Sequence, residues 1–435
     1  MQPVLLKKSL ELPCGITIPN RLCKAAMTEC MADVHSRSTP ELAKLYELWS
    51  KGGTGLLITG NIQVDRRYME RPGNVAIEPT IDEKGISALK LFASSATVGG
   101  SLVFAQLGHA GRQSTKLLNK SLIGPSAIAM IDPNPEAPAD STTREMTLEE
   151  IKDVKSRFVN AALVCQKTGF SGIQLHSAHG YLLSSFLNPL ANNRTDSYGG
   201  ALENRARLLL EIVQLVREAV GPKFPISVKI NSSDFQKGGF SLDECKQVLE
   251  WLDASSVDLI ELSGGNYESP VMLLGPDSTV KREAYFISFA KEMRTVVRHS
   301  TLMVTGGFRT TIAMEKALQD GACDMIGIGR PLCVDPKVSK KILAGEIEMM
   351  PTPESMFYLP WFLSWLLWFE IGPKLEFFAR QSWCYEMMIH WGKSGIADQI
   401  PFRAVRGILG MRSYDQNQAR NLVGVDCIGS HHTKK

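Results

Sequence analysis

The chain has 435 residues, 44% hydrophobic and 21% charged, enough to bury one large core or two modest ones, so disorder is not its default state. Lys and Arg total 48 against 45 Asp and Glu, a net charge of +3 with the basic residues scattered, which argues against nucleic acid as a partner. Nine dispersed cysteines, never spaced as C-x-x-C, argue against a disulfide framework and against a zinc or iron–sulfur site. With Lys7 and Lys8 following the only apolar run of the N-terminus, no secretory h-region is seen, and the expected compartment is cytoplasmic.

Short apolar, β-rich runs alternate with amphipathic stretches, the pattern of βα units around a parallel sheet. In chain order the predicted strands are residues 22–28, 55–60, 102–108, 172–177, 226–231, 258–264, 302–307 and 324–330. Helix starts are marked between them: Thr39 caps a helix with Pro40 at its first position, and Thr147 with Glu150 forms a capping box. Eight strands each followed by a helix close into a (β/α)8 TIM barrel over residues 1–345, above the usual size of about 250 residues but within range for a barrel with insertions. One insertion, residues 124–145, has four prolines and no helical period; following the third strand, it is expected over the top face.

Residues 346–435 form a C-terminal extension, expected to be mostly helical, with five of the seven tryptophans. Its segment 355–369, SMFYLPWFLSWLLWF, carries no charge, yet as a helix it spans only about 22 Å against a hydrocarbon core of roughly 30 Å, and Pro360 interrupts it. It is not expected to cross a bilayer alone. Three roles fit it: peripheral membrane contact, a subunit interface making a homo-oligomer, or packing across the barrel and pocket mouth, with packing inside the protein as the default.

Chemistry in such barrels sits where the strands end, so those ends supply the candidates. Strands seven and eight end in TGGFRT and GIGRP, where glycines let backbone N–H groups approach an anion and Arg330 adds a fork of donors. A phosphate seat is one reading; the other is that Gly306, Gly307, Gly327 and Gly329 only relieve crowding. On strand five, Val228 and Ile230 face outward while Ser227, Lys229 and Asn231 face in, and a buried Lys229 needs a partner. That partner is either Glu261 on strand six or an anionic cofactor ring. Gln106 offers an amide to a heterocycle edge or to a neighbouring backbone, and the Thr28 hydroxyl could donate to the same ring. His176 shares the inner face of strand four with Gln174, while His179 and Tyr181 follow on the loop. Two imidazoles can donate to one substrate oxygen as it gains charge, and a phenol nearby can protonate the adjacent carbon. The rivals are a zinc site, for which no third ligand is evident, and ordinary core histidines.

Taken together, the stretch HSAHGYLLSSFLNPLANNRTDSYGGALENRARL (176–208), with FAQLGHAGR, IGIGRPL, AAMT and VTGGF in order, resembles the old yellow enzyme family of FMN-dependent ene-reductases, from about residue 5 to residue 345. The resemblance implies FMN as cofactor and NADH or NADPH as reductant. It implies that His176 and His179 bind the carbonyl of an electron-poor alkene and that Tyr181 protonates its α carbon after hydride arrives at the β carbon from flavin N5. It also implies that Met27, Thr28, Gly60 and Asn61 grip the flavin pyrimidine, that Gln106 and Lys229 are its other polar partners, and that Gly307, Gly329 and Arg330 cradle the phosphate. Two positions depart from the pattern: Ala26 stands where many members carry proline, and Lys229 where arginine is common. The iron–sulfur cysteine cluster of larger members does not appear, so electrons are expected to come directly from the nicotinamide. Alternatives are a flavin-dependent isomerase or desaturase on a similar substrate, or a flavin-free barrel serving as a membrane-associated scaffold.

Overall fold

The computed structural model describes residues 3–115, 117–119, 121–130, 142–234, 236–263, 279–351, 371–401 and 404–422. The middle of the Pro-rich insertion and the Trp-rich segment 355–369 therefore lie outside the described residues, as does any reading placed on them. Eight parallel strands close a barrel: β1 (Leu22–Lys24), β2 (Leu56–Ile58), β3 (Leu102–Gly108), β4 (Gly172–Ser177), β5 (Ile226–Asn231), β6 (Leu259–Ser263), β7 (Thr301–Thr305) and β8 (Met325–Ile328). Each pairs with its sequence neighbours, and β8 returns to β1 through Ile326 opposite Leu22 and Gly327 opposite Cys23. All eight predicted strands are present. The first is shorter than expected, because the chain leaves the ladder after Lys24 although Ala25, Ala26 and Met27 remain apolar.

The crossover helices are α1 (Pro40–Lys51), α2 (Glu83–Thr97), α3 (Leu148–Thr168), α4 (Leu202–Val220), α5 (Leu242–Asp253), α6 (Thr279–Arg294), α7 (Thr311–Gln319) and α8 (Val338–Ala344). The Thr39 hydroxyl accepts from the Leu42 N–H ahead of Pro40, and Thr147 with Glu150 closes the capping box of α3. A second capping box, Ser241 with Glu244, starts α5. Two-residue alternation divides the strands: Ile173, Leu175, Val228 and Ile230 face the helices and join the main core with Phe158, Ile212 and Val248.

Inside the barrel, Cys23, Leu56, Ile58, Phe104, Leu259, Met303 and Met325 pack with Leu10, Leu12 and Ile18 from an N-terminal hairpin (Leu10–Glu11 with Thr17–Ile18) that stops the lower end. One pleat higher the inward positions turn polar, with Gln106, Gln174, Lys229 and Glu261, and then His176 and Asn231. The apolar floor makes the interior a core rather than a pore, and the polar layer marks the C-terminal mouth as the place for chemistry.

Beyond the barrel, α9 (Ile371–Ser394) and α10 (Ala404–Asn421) bear out a helical extension and pack on α1 and on the loops of the mouth. Trp383 and Trp391 are fully buried, and their indole N–H groups donate to Ile400 O and Asp398 O at 3.2 and 2.6 Å. At about 200 Å² each, their burial contributes roughly 5 kcal/mol apiece before entropy. The Arg71 guanidinium stacks 4.3 Å over the Tyr385 ring and donates to Asp415 Oδ2 at 2.6 Å, while Tyr414 OH donates to Cys30 O at 2.9 Å. No helix among the described residues is long and apolar enough to cross a membrane.

Candidate active site

His176 projects inward from β4, beside Lys229 in register on β5. His179 and Tyr181 follow on the turn into a short helix, Leu182–Leu187. The His176 ring centroid lies 5.1 Å from that of His179 and 4.8 Å from that of Tyr181, both pairs edge-on, so the three predicted residues form one cluster. His179 adopts φ 61°, a left-handed conformation costing about 1–2 kcal/mol. It is held there because its N–H donates to Asn231 Oδ1 at 3.1 Å and its carbonyl accepts from Gln113 Nε2 at 2.6 Å.

The Ala178 N–H donates to His176 Nδ1 at 3.3 Å, which in a neutral imidazole leaves the proton on Nε2 and makes that nitrogen a donor. Burial, then the charges of His179 and Lys229, push the His176 pKa well below its ordinary value. Burial and Lys229 likewise push His179 down to about 3. Both rings are thus neutral near pH 7. His179 Nε2 shares a hydrogen bond with Ser263 Oγ at the end of β6, 2.9 Å away.

Four residues attributed to the flavin pyrimidine side gather on the loops after β1 and β2. The Thr28 hydroxyl donates to Glu70 Oε2 at 2.9 Å, and Asn61 Nδ2 donates to the same oxygen at 3.0 Å. Thr28 stands on a loop rather than at a strand end, and its O–H is engaged by a carboxylate that sequence reasoning had not singled out. Met27 Sδ accepts from Cys333 Sγ at 3.5 Å. The Gly60 N–H donates to Glu29 Oε1 at 2.9 Å, and a Cβ at Gly60 would come within 2.4 Å of Met27 O, so no side chain fits there.

Gln106 and Lys229 lie deeper, in the polar layer. Gln106 Nε2 donates to Gln174 Oε1 at 2.7 Å, and Gln174 Nε2 donates to Glu261 Oε2 at 2.8 Å. Lys229 Nζ is 2.9 Å from Glu261 Oε1, so the ion pair read as one alternative is present. The four glycines at the seventh and eighth strand ends divide into two kinds. A Cβ on Gly327 would fall 1.9 Å from Thr305 Oγ1 on the neighbouring strand, so this glycine relieves crowding. Gly306 and Gly307 hold φ 103° and 78°, and nothing lies within 4 Å of a Cβ on Gly329, leaving open space beside the half-buried Arg330.

Sequence reasoning also passed over a buried cluster outside the barrel wall. Lys24 Nζ donates to Ile58 O at 2.7 Å and to Tyr46 OH at 3.1 Å, and stands 4.7 Å over the Trp49 ring. Burial lowers its pKa to about 8. Tyr46 OH in turn donates to Glu29, the acceptor of the Gly60 N–H, so this cluster braces the loop carrying Gly60. A lone lysine facing outward in the first strand run was the only available signal.

These residues fit FMN on two observations. Asn61 Oδ1 is buried without a hydrogen-bond partner on the loop after β2, and open space lies at Gly329 next to Arg330, at the end of β8 two strands away. Fold and site together define a β/α-barrel oxidoreductase of the FMN class. Comparison with known proteins agrees: residues 12–347 match the NADH:flavin oxidoreductase / NADH oxidase family. The chain is 36% identical over 353 residues to the NADH-dependent flavin oxidoreductase iliE of Hypocrea jecorina, covering 77% of this chain and 88% of that protein. Among solved structures it resembles 2-naphthoyl-CoA reductase with TM-score 0.71 and 26% identity over 78% of this chain; it spans only 52% of that longer protein. An old yellow enzyme homologue from Zymomonas mobilis, 22% identical with TM-score 0.66 over 82% of this chain and 97% of its own, supports the fold alone. The chain belongs to the NADH:flavin oxidoreductase / NADH oxidase family, whose members use FMN with NADH or NADPH.

Proposed function

We propose that this protein is a cytoplasmic, NADH-dependent ene-reductase that reduces the C=C bond of a small α,β-unsaturated carbonyl compound. The observation that carries the reading is the cluster of His176, His179 and Tyr181 at the mouth, with His176 held neutral and its Nε2 proton directed by the Ala178 N–H on Nδ1. When bound, FMN supplies hydride taken from NADH to the β carbon of the alkene. Gly307, Gly329 and Arg330 hold the phosphate, and Met27, Thr28, Gly60, Asn61, Gln106 and Lys229 hold the ring.

His176 donates to the substrate carbonyl oxygen, and a neutral donor there gains strength as the oxygen becomes negative without first losing a proton. His179 joins by exchanging its Ser263 bond for one to the same oxygen. Tyr181 holds the proton for the α carbon on its phenol, close to the His176 ring. NADH as reductant is supported by the name of the Hypocrea jecorina relative, and the cytoplasm by the dispersed cysteine pattern of the sequence.

Tyr181→Phe tests the assignment. Reduction of bound FMN by NADH should proceed at the wild-type rate, while turnover of a cyclic enone should fall about a hundredfold or more. Equal loss of both half-reactions would contradict the role given to Tyr181.

A further inference from the structure

The ion pair inside the barrel is built to do more than neutralise Lys229. Glu261 is wholly buried on β6, directly opposite Lys229 in the β5–β6 register. Its two oxygens are divided: Oε1 lies 2.9 Å from Lys229 Nζ and Oε2 accepts from Gln174 Nε2 at 2.8 Å. Gln174 passes the constraint to Gln106 on β3, also 2.7 Å away, so Gln106 and Lys229 are tied through one carboxylate. All four side chains are buried, where charges interact strongly and a substitution of charge is felt at neighbouring sites.

This arrangement bears on the substitution of lysine for the guanidinium common at this position. A lysine is a point charge on a flexible stem and needs something to aim it. Glu261 does so, but a carboxylate at that distance also offsets the cation. An anionic ring approaching Lys229 meets a pair of nearly zero net charge.

Resting on the reading that FMN lies against Lys229, we propose that Glu261 is a positioning residue that sets the reduction potential of the flavin, holding it low by offsetting Lys229. The reduced, anionic flavin is then stabilised less than it would be by an unpaired lysine, and is a stronger hydride donor.

Glu261→Gln tests this. The amide is nearly isosteric, can keep its oxygen beside Lys229 and can donate along the Gln174–Gln106 chain if both amides turn over, so the packing and the chain can be kept while the charge is lost. The midpoint potential of bound FMN is measured by anaerobic dye equilibration, with the affinity for oxidised FMN and the urea midpoint measured beside it. The ratio of affinities for reduced over oxidised FMN should rise about tenfold, a positive shift of about 30 mV for a two-electron couple. Lys229→Met should move it the other way. A folded, FMN-loaded Glu261→Gln with a potential within twofold of wild type in that ratio overturns the proposal and leaves Glu261 a structural partner. If Glu261→Gln does not fold, Glu261→Asp draws the carboxylate back by one methylene; it should shift the ratio about threefold in the same direction, and an unchanged potential overturns the proposal equally. Failure of the wild-type protein to bind FMN at all would instead defeat the proposed function on which this rests.

Discussion

Three buried histidines make a prediction about acid stability that follows directly from the site. Burial holds His176 well below its ordinary pKa, His179 at about 3 and His109 at about 4. In the unfolded chain each takes up a proton near pH 6.5, so between about pH 6.5 and pH 4 the unfolded state binds more protons and stability falls as pH falls. At pH 5, about 1.5 pH units below that value, the loss is about 2 kcal/mol each for His179 and His109, about 4 kcal/mol for the two, and His176 adds to it in the same direction. Glu29, whose pKa is raised by burial, pulls the other way and returns part of this. Asp65, held below its ordinary pKa despite the opposing effect of burial by hydrogen bonds from Arg67 and nearby cations, acts only at lower pH. Urea unfolding at about pH 7.5 and pH 5 measures the loss, and His179→Gln should reduce it by about 2 kcal/mol. A stability unchanged within about 1 kcal/mol, or ring resonances assigned to His176 and His179 titrating near pH 6.5, would refute the neutral pair on which the donor role of His176 depends.

The two glycines at the end of β8 give a contrast in kind. Gly329→Ala enters open space and should leave the urea midpoint unchanged while weakening FMN affinity about tenfold or more, whereas Gly327→Ala meets Thr305 Oγ1 and should cost about 1–3 kcal/mol of stability. Asp415→Asn weakens the bond from Arg71 that ties α10 to the mouth; amide exchange over residues 404–422 should accelerate by the equivalent of about 1.5–3 kcal/mol with exchange in β4 and β5 unaffected.

Strands β3, β4 and β5 were legible to the residue because each combines a continuous apolar run with an inward polar alternation that ends at Gly, Ser or Asn. The first strand was overread: Ala25, Ala26 and Met27 look like strand because they are apolar, yet they lie on the loop where the chain turns over the barrel end. His176, Lys229 and Glu261 were placed by parity alone, since strand alternation decides which face a side chain takes. Glu70 was invisible for the opposite reason. It lies in the aperiodic stretch RRYMERPGN, and its approach to Thr28 and Asn61 brings the β1–α1 and β2–α2 connections together at points whose proximity no spacing records. The Lys24–Tyr46–Glu29 cluster likewise joins a strand, a helix and a loop through tertiary packing.

The central claim is most directly tested by anaerobic titration of the FMN-loaded wild-type protein, first with NADH and then with a panel of cyclic enones and unsaturated aldehydes. The account predicts that NADH bleaches the flavin and that at least one enone restores its colour with one saturated C=C formed per NADH consumed. A protein that takes up no flavin, or whose flavin NADH reduces but no electron-poor alkene reoxidises, contradicts it; alkene migration without consumption of NADH would give the site to an isomerase.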